Sequence, residues 1–230
     1  MPDVSPNFGE RRGGVSPSLI VLHYTGMQSC QAAFDRLCDP LAEVSAHYLI
    51  SETGRVHALV PEPMRAWHAG QGAWAGIDDI NSHSIGIELA NPGDAPFAAP
   101  QMLALERLLA EIVVRWSIAA HRVIGHSDMA PLRKRDPGPR FDWRRLAHAR
   151  LSVWPDDAAT TPAPGLATPA AFDQAALRFG YPAGVGHAAL LAAFRARFRP
   201  GAVGDVDAQD IAVMRQLGDT YPVDPRPPAP

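Results

Sequence analysis

Cysteine is scarce in this chain: two residues among 230, Cys30 and Cys38. Both lie in "QSCQAAFDRLCDP", where Ala33, Phe34 and Leu37 follow a helical period between Ser29 as a cap and Pro40 as a stop. Eight residues of helix set the two sulfurs roughly 12 Å apart, beyond the ~7 Å limit for a bridge. Two free thiols are expected, which suits a reducing compartment. Long apolar runs are also missing. None approaches a membrane span, and Leu19 to Leu22 is too short for the core of a signal peptide. A cytoplasmic location is therefore expected, with a periplasmic one the alternative if an export segment precedes this sequence. Charge of one sign is lacking too: 21 Lys and Arg face 24 Asp and Glu, a net charge of −3. With no basic field, nucleic acid is excluded as a partner.

Proline, by contrast, is plentiful, with 23 residues, and it clusters in "WPDDAATTPAPGLATP" and in the tail "YPVDPRPPAP". These clusters divide the chain into a domain over 1–151, a linker over 152–169, a small unit over 170–220 and a disordered tail over 221–230. In the first domain "SLIVLHY", "AHYLIS", "RVHALV", "SIGIEL" and "HRVIGH" read as strands, with "ETG" turning the second into the third. Helices are expected after Ser29, from Gln101 to Trp116 and after Asp142. Met102, Leu105, Leu109, Ile112 and Trp116 make one apolar stripe on the long helix. The fold class is α/β: a central mixed sheet flanked by helices, plus a small C-terminal three-helix domain near 170–179, 187–198 and 207–218. The small unit carries no catalytic-looking constellation, so binding or docking is its expected role.

Chemistry concentrates in "VIGHSDMAPLRKRDPGPRFDW", a short turn holding His126, Lys134 and Asp136. Asp136 precedes proline and so favours extended backbone; side chains two apart then point the same way, bringing Lys134 and Asp136 to one site. A surface ion pair would explain that pair equally well. His23 ends the strand "LIVLH", where a strand delivers a side chain into a cleft, or simply closes with a hydrogen-bonded histidine. Glu88 alternates with Ile87 and Leu89 and stands off the core face, with Gly86 leaving room beside it. His23, His126 and Asp136 together form a candidate set of three zinc ligands with a fourth position open, the pattern of catalytic sites. Two neutral imidazoles and one carboxylate preserve the Lewis acidity that activates water.

These pieces resemble the zinc-dependent N-acetylmuramoyl-L-alanine amidases of the second amidase family, which also contains the peptidoglycan recognition proteins. Six motifs carry the resemblance in order: "IVLHYTG", "SAHYLIS..G.V..LV", "RAWHAG", "N.HSIGIEL", "VIGHSD" and "KRDPGPRFDW". It implies that Zn2+ is held by His23, His126 and Asp136, and that Glu88 and Lys134 are catalytic, as proton acceptor and oxyanion stabiliser. It implies further that Trp67 and His68 lie near the substrate cleft, so that losing His68 should impair substrate handling more than metal content. The C-terminal "AF..RFRP" stretch resembles a peptidoglycan-binding-like domain. Peptidoglycan or soluble muropeptides are the implied partners of a monomeric enzyme. A non-catalytic recognition module and a zinc peptidase acting within the stem peptide are the alternatives. Asp136, Glu88 and Lys134 together argue against the first.

Overall fold

Runs of β-branched and aliphatic residues become buried strands, and the amphipathic stretches become helices that cover them. The computed structural model describes residues 4–156 and 167–223. In chain order the described strands are β1 (Phe8–Gly9), β2 (Leu19–Tyr24), β3 (Tyr48–Ile50), β4 (Val56–Ala58), β5 (Arg65–Ala66), β6 (Ser84–Leu89) and β7 (Val123–Gly125). The α-helices are α1 (Cys30–Cys38), α2 (Ile80–His83), α3 (Ala99–Trp116), α4 (His126–Met129), α5 (Trp143–His148), α6 (Pro169–Phe179), α7 (His187–Phe198) and α8 (Ala208–Thr220).

The main sheet has the order β4-β3-β6-β2-β7. The β3–β6, β6–β2 and β2–β7 pairs are parallel, and β4 adds an antiparallel edge through the expected hairpin. Gly54 makes that turn with φ +86°, a conformation that a side chain disfavours. Side-chain alternation divides the sheet into two faces. Ile20, Leu22, Ile85, Ile87 and Leu89 pack with Met102, Leu105, Leu109 and Ile112 of α3. Leu19, Val21 and Ile124 belong to a second cluster with Trp74, Phe172, Phe179 and Phe194. Thus α6, α7 and α8, the three expected C-terminal helices, complete the core over the other face. Phe172, Phe179 and Phe194 are at most 2% exposed, and burying each contributes about 1.5–3 kcal/mol.

Caps expected from the sequence are formed: Ser29 Oγ accepts from the Ala32 amide, and the Asp142 carboxylate from the Arg145 amide. Cys30 and Cys38 stand at the two ends of α1 and are not joined in a disulfide. Among the described residues, no helix is long and apolar enough to cross a membrane. Three features depart from expectation. The two-stranded β1–β5 sheet is too short to show a period. The α2 and α4 helices are single turns of four residues, so His126, expected at the end of a strand where the loop opens, is the first residue of a helix. The first residues of the expected linker, Ser152 and Val153, are buried; residues 157–166 of it, and 224–230 of the expected tail, lie outside the described residues.

Candidate metal centre

Strand register places the candidate side chains. In the parallel β6–β2 pair, His23 is opposite Glu88. In the β2–β7 pair, Leu22 is opposite Gly125, so the next residues, His23 and His126, emerge side by side at the carboxyl ends of their strands. Crevices at that end of parallel strands are where α/β folds bind ligands. The 126–136 loop then doubles back. The Ser127 amide donates to the Asp136 carbonyl at 2.9 Å, returning Asp136 to His126.

His23 Nδ1, His126 Nδ1 and Asp136 Oδ2 converge: the two nitrogens are 2.9 Å apart, and they lie 2.9 and 3.0 Å from the oxygen. All three residues are buried, and their ligand atoms form a group that could hold a metal ion. Neighbouring hydrogen bonds decide which ring nitrogens carry protons. The Ala69 carbonyl only accepts, so His126 Nε2, 2.9 Å away, donates its N–H to it. In that Nε2–H tautomer the ring presents a lone pair at Nδ1. Burial, reinforced by the neighbouring His126, pulls the His23 imidazole down to about 4, so it is neutral at pH 7. Lone pairs of two neutral imidazoles and a carboxylate oxygen facing one another across about 3 Å repel unless a cation lies among them. The set fits zinc, whose nitrogen and oxygen ligands at about 2.0–2.2 Å make tetrahedra with edges slightly above 3 Å.

These three side chains open onto a cavity of about 440 Å³ that is also lined by Glu88, Lys134, Trp67, His68 and Tyr24. All seven residues singled out in the sequence therefore meet at one cleft. Glu88 Oε2 is buried with no hydrogen-bond partner. Burial, with Asp136 adding to it, raises the Glu88 carboxyl well above the usual range, against the opposing pull of Lys134. Lys134 shares the cleft with Asp136 as expected, but at the end of a turn and not on a strand: its amide donates to the Ala130 carbonyl at 3.0 Å. The room beside Gly86 is filled, since a Cβ there would stand 2.4 Å from the His68 ring.

Three participants had not been singled out. Ser84 Oγ lies 3.1 Å from His68 Nε2, the Ala69 carbonyl orients His126, and Asn81 Oδ1 accepts from the His68 and Ala69 amides at 3.1 and 2.9 Å. Ser84 and Asn81 stand in the quoted motif "N.HSIGIEL", whereas a backbone carbonyl leaves no mark on a sequence. Three other histidines have structural partners: His47 accepts from the Gly86 amide, His121 stacks on Tyr221 and His187 pairs with Asp173.

Residues 13–139 match the family described as N-acetylmuramoyl-L-alanine amidase. The chain belongs to that amidase family. Within it, N-acetylmuramoyl-L-alanine amidase AmiD of Escherichia coli K12 is 35% identical over 231 aligned residues, covering 88% of this chain and 83% of AmiD. The 1,6-anhydro-N-acetylmuramyl-L-alanine amidase AmpD of Citrobacter freundii is 34% identical, over 62% of this chain and 85% of AmpD. A solved AmiD complex with the substrate anhydro-N-acetylmuramic acid-L-Ala-D-gamma-Glu-L-Lys superposes with a TM-score of 0.84 at 31% identity, covering 95% of this chain and 99% of that one. AmpDh3 of Pseudomonas aeruginosa gives 0.83 at 34% identity, covering 91% and 94%. These likenesses make the chain an AmpD/AmiD-type amidase with their mixed-sheet fold.

Proposed function

We propose that this amidase hydrolyses the amide between the lactyl group of N-acetylmuramic acid, or its 1,6-anhydro form, and L-alanine, with Zn2+ held by His23, His126 and Asp136. The convergence of these three ligand atoms beside Glu88 and Lys134 in one cleft carries the reading. When bound, zinc supplies the Lewis acidity that activates a water and polarises the scissile carbonyl. Glu88 accepts the proton of the attacking water through its unpartnered Oε2. The Lys134 ammonium stabilises the carbonyl oxygen as it gains charge. As the carbon–nitrogen bond breaks, Glu88 returns the proton to the amine of L-alanine. Trp67, partly buried at the rim, offers an aromatic face to the muropeptide.

AmiD is solved with an anhydro-muropeptide, which supports a soluble muropeptide as substrate and a role in wall recycling. No disulfide joins Cys30 and Cys38, which suits a reducing compartment, so a cytoplasmic setting is proposed, with the enzyme acting as a monomer. The C-terminal helices, which lie beyond residues 13–139 matched by the amidase family, are proposed to dock peptidoglycan. The test is mass spectrometry of a purified anhydro-muropeptide after incubation, with and without a zinc chelator. Chelator-sensitive release of an intact peptide beginning with L-alanine is expected. A muropeptide and an intact wall both left uncut in the presence of zinc would leave a recognition module.

A further inference from the structure

The cleft holds a chain of hydrogen bonds that ends on His23, one of the three candidate metal ligands. Ser84 Oγ lies 2.6 Å from the Ile80 carbonyl, which can only accept, so the hydroxyl proton is committed there. The lone pairs of Ser84 Oγ then accept from His68 Nε2 at 3.1 Å. With its proton on Nε2, the neutral His68 ring has a free lone pair at Nδ1. That atom lies 3.0 Å from His23 Nε2 and accepts its N–H. His23 Nδ1, the atom facing His126 and Asp136, is thereby left without a proton. The next residue does the same for the other ring, because the Ala69 carbonyl takes the His126 Nε2 proton. Asn81 Oδ1 pins both residues through their amides.

We propose that His68 and Ala69 form a tautomer clamp: one short segment, fixed by Asn81 and Ser84, presents unprotonated Nδ1 atoms of both His23 and His126 to the metal. The inference rests on the zinc reading above. It makes His68 a positioning residue whose primary effect is on the metal, the reverse of what a substrate-cleft role alone implies. The bland alternative, that His68 merely packs on Gly86, does not account for the order of donors and acceptors from Ile80 to His23.

The full-length protein is loaded with zinc and titrated with a competing chelator of known affinity, alongside H68A, H68N and S84A, with turnover and melting followed in parallel. Loss of an outer partner of a ligating histidine typically loosens the metal about 10–100-fold, and that is expected for H68A. H68N, whose Oδ1 falls near the place of Nδ1, should recover most of the loss. S84A should show a smaller loss, because His68 then becomes free to exchange tautomers. Unchanged zinc affinity in H68A and S84A, with only KM raised, would overturn the clamp and leave His68 a substrate residue. Should H68A fail to fold, H68N and S84A decide in the same way. A wild-type protein that takes up no zinc would bring down the metal reading and the clamp with it, an outcome distinct from loss of the clamp alone. Long-range proton–nitrogen correlation spectra of the zinc-loaded chain give a second readout. Both rings should carry their proton at Nε2 and bind through Nδ1, and binding through Nε2 of either would overturn the proposal.

Discussion

At the scale of single residues, the cleft is governed by what each atom has left to offer once its neighbours are satisfied. In the proposed mechanism Lys134 and Glu88 serve substrate and water, while the candidate metal group is His23, His126 and Asp136, so K134A and E88A should retain zinc and lose turnover. Removing one oxyanion donor typically costs ~10² to 10³ in rate, and steady-state kinetics beside metal analysis would measure it. Full activity with zinc present would remove the substituted residue from the scheme. Gly86 is the complementary case. It is buried in the middle of β6, and the His68 ring occupies the space a Cβ would need, with three ring atoms within 2.6 Å of it. G86A should therefore push His68 away from both Ser84 and His23. Zinc affinity should fall with it even though no ligand has changed, as competitive chelation would register; a variant with wild-type affinity would mean that the ring has another place to go.

At the scale of elements, what the sequence reveals depends on how far a pattern extends. β2, β6 and α3 are long enough for their periods to show, and Ser29 and Asp142 cap the helices they precede. His23 and His126 could be picked out as strand-end histidines, but their adjacency comes from the β2–β7 register, a relation between segments about 100 residues apart. Single-turn helices such as α4 are shorter than the period that would reveal them. Long-range polar clamps are similarly illegible, and Glu62 is one. Its carboxylate accepts from Tyr48 of β3 at 2.6 Å and from Arg115 and Trp116 at the end of α3 at 2.6 and 2.5 Å. Burial pushes the Glu62 carboxyl upward, but the hydrogen bonds from Tyr48, Trp116 and Arg115 outweigh it, and the net displacement is downward. A carboxyl held low when folded stabilises the fold above its unfolded pKa of about 4.3, and the contribution disappears as pH falls through the folded value. E62Q should therefore be less stable than wild type at pH 7, by about 1.5–3 kcal/mol for hydrogen bonds to a charged group. The gap should close on acidification. Urea unfolding at a series of pH values checks this, and a gap that stayed constant would detach Glu62 from the acid response.

At the scale of the whole molecule, the C-terminal helices reach the candidate metal centre through a buried ion pair. Arg197 of α7 reaches Asp128 of α4 at 2.5 Å and the Val123 carbonyl of β7 at 3.0 Å, with its guanidinium 4.2 Å from the centre of the Trp143 ring. Tyr181 donates to the other Asp128 oxygen at 2.9 Å, and the Gly125 amide to the first at 2.8 Å. Asp128 is two residues from His126, so the short helix that begins with this candidate ligand is tied to both the sheet and the C-terminal unit. The apolar cluster on that side of the sheet crosses the same boundary. Such a unit should not melt by itself. Removing one partner of a buried pair typically costs about 3–5 kcal/mol because the other charge is left uncompensated. R197A should accordingly lower the melting temperature by roughly 6–20 °C for a chain of this size. Calorimetry should record one endotherm in wild type and the whole of it displaced in R197A. Two endotherms, of which the substitution moved only the smaller, would mean that the helices are held beside the amidase fold without being part of its cooperative core.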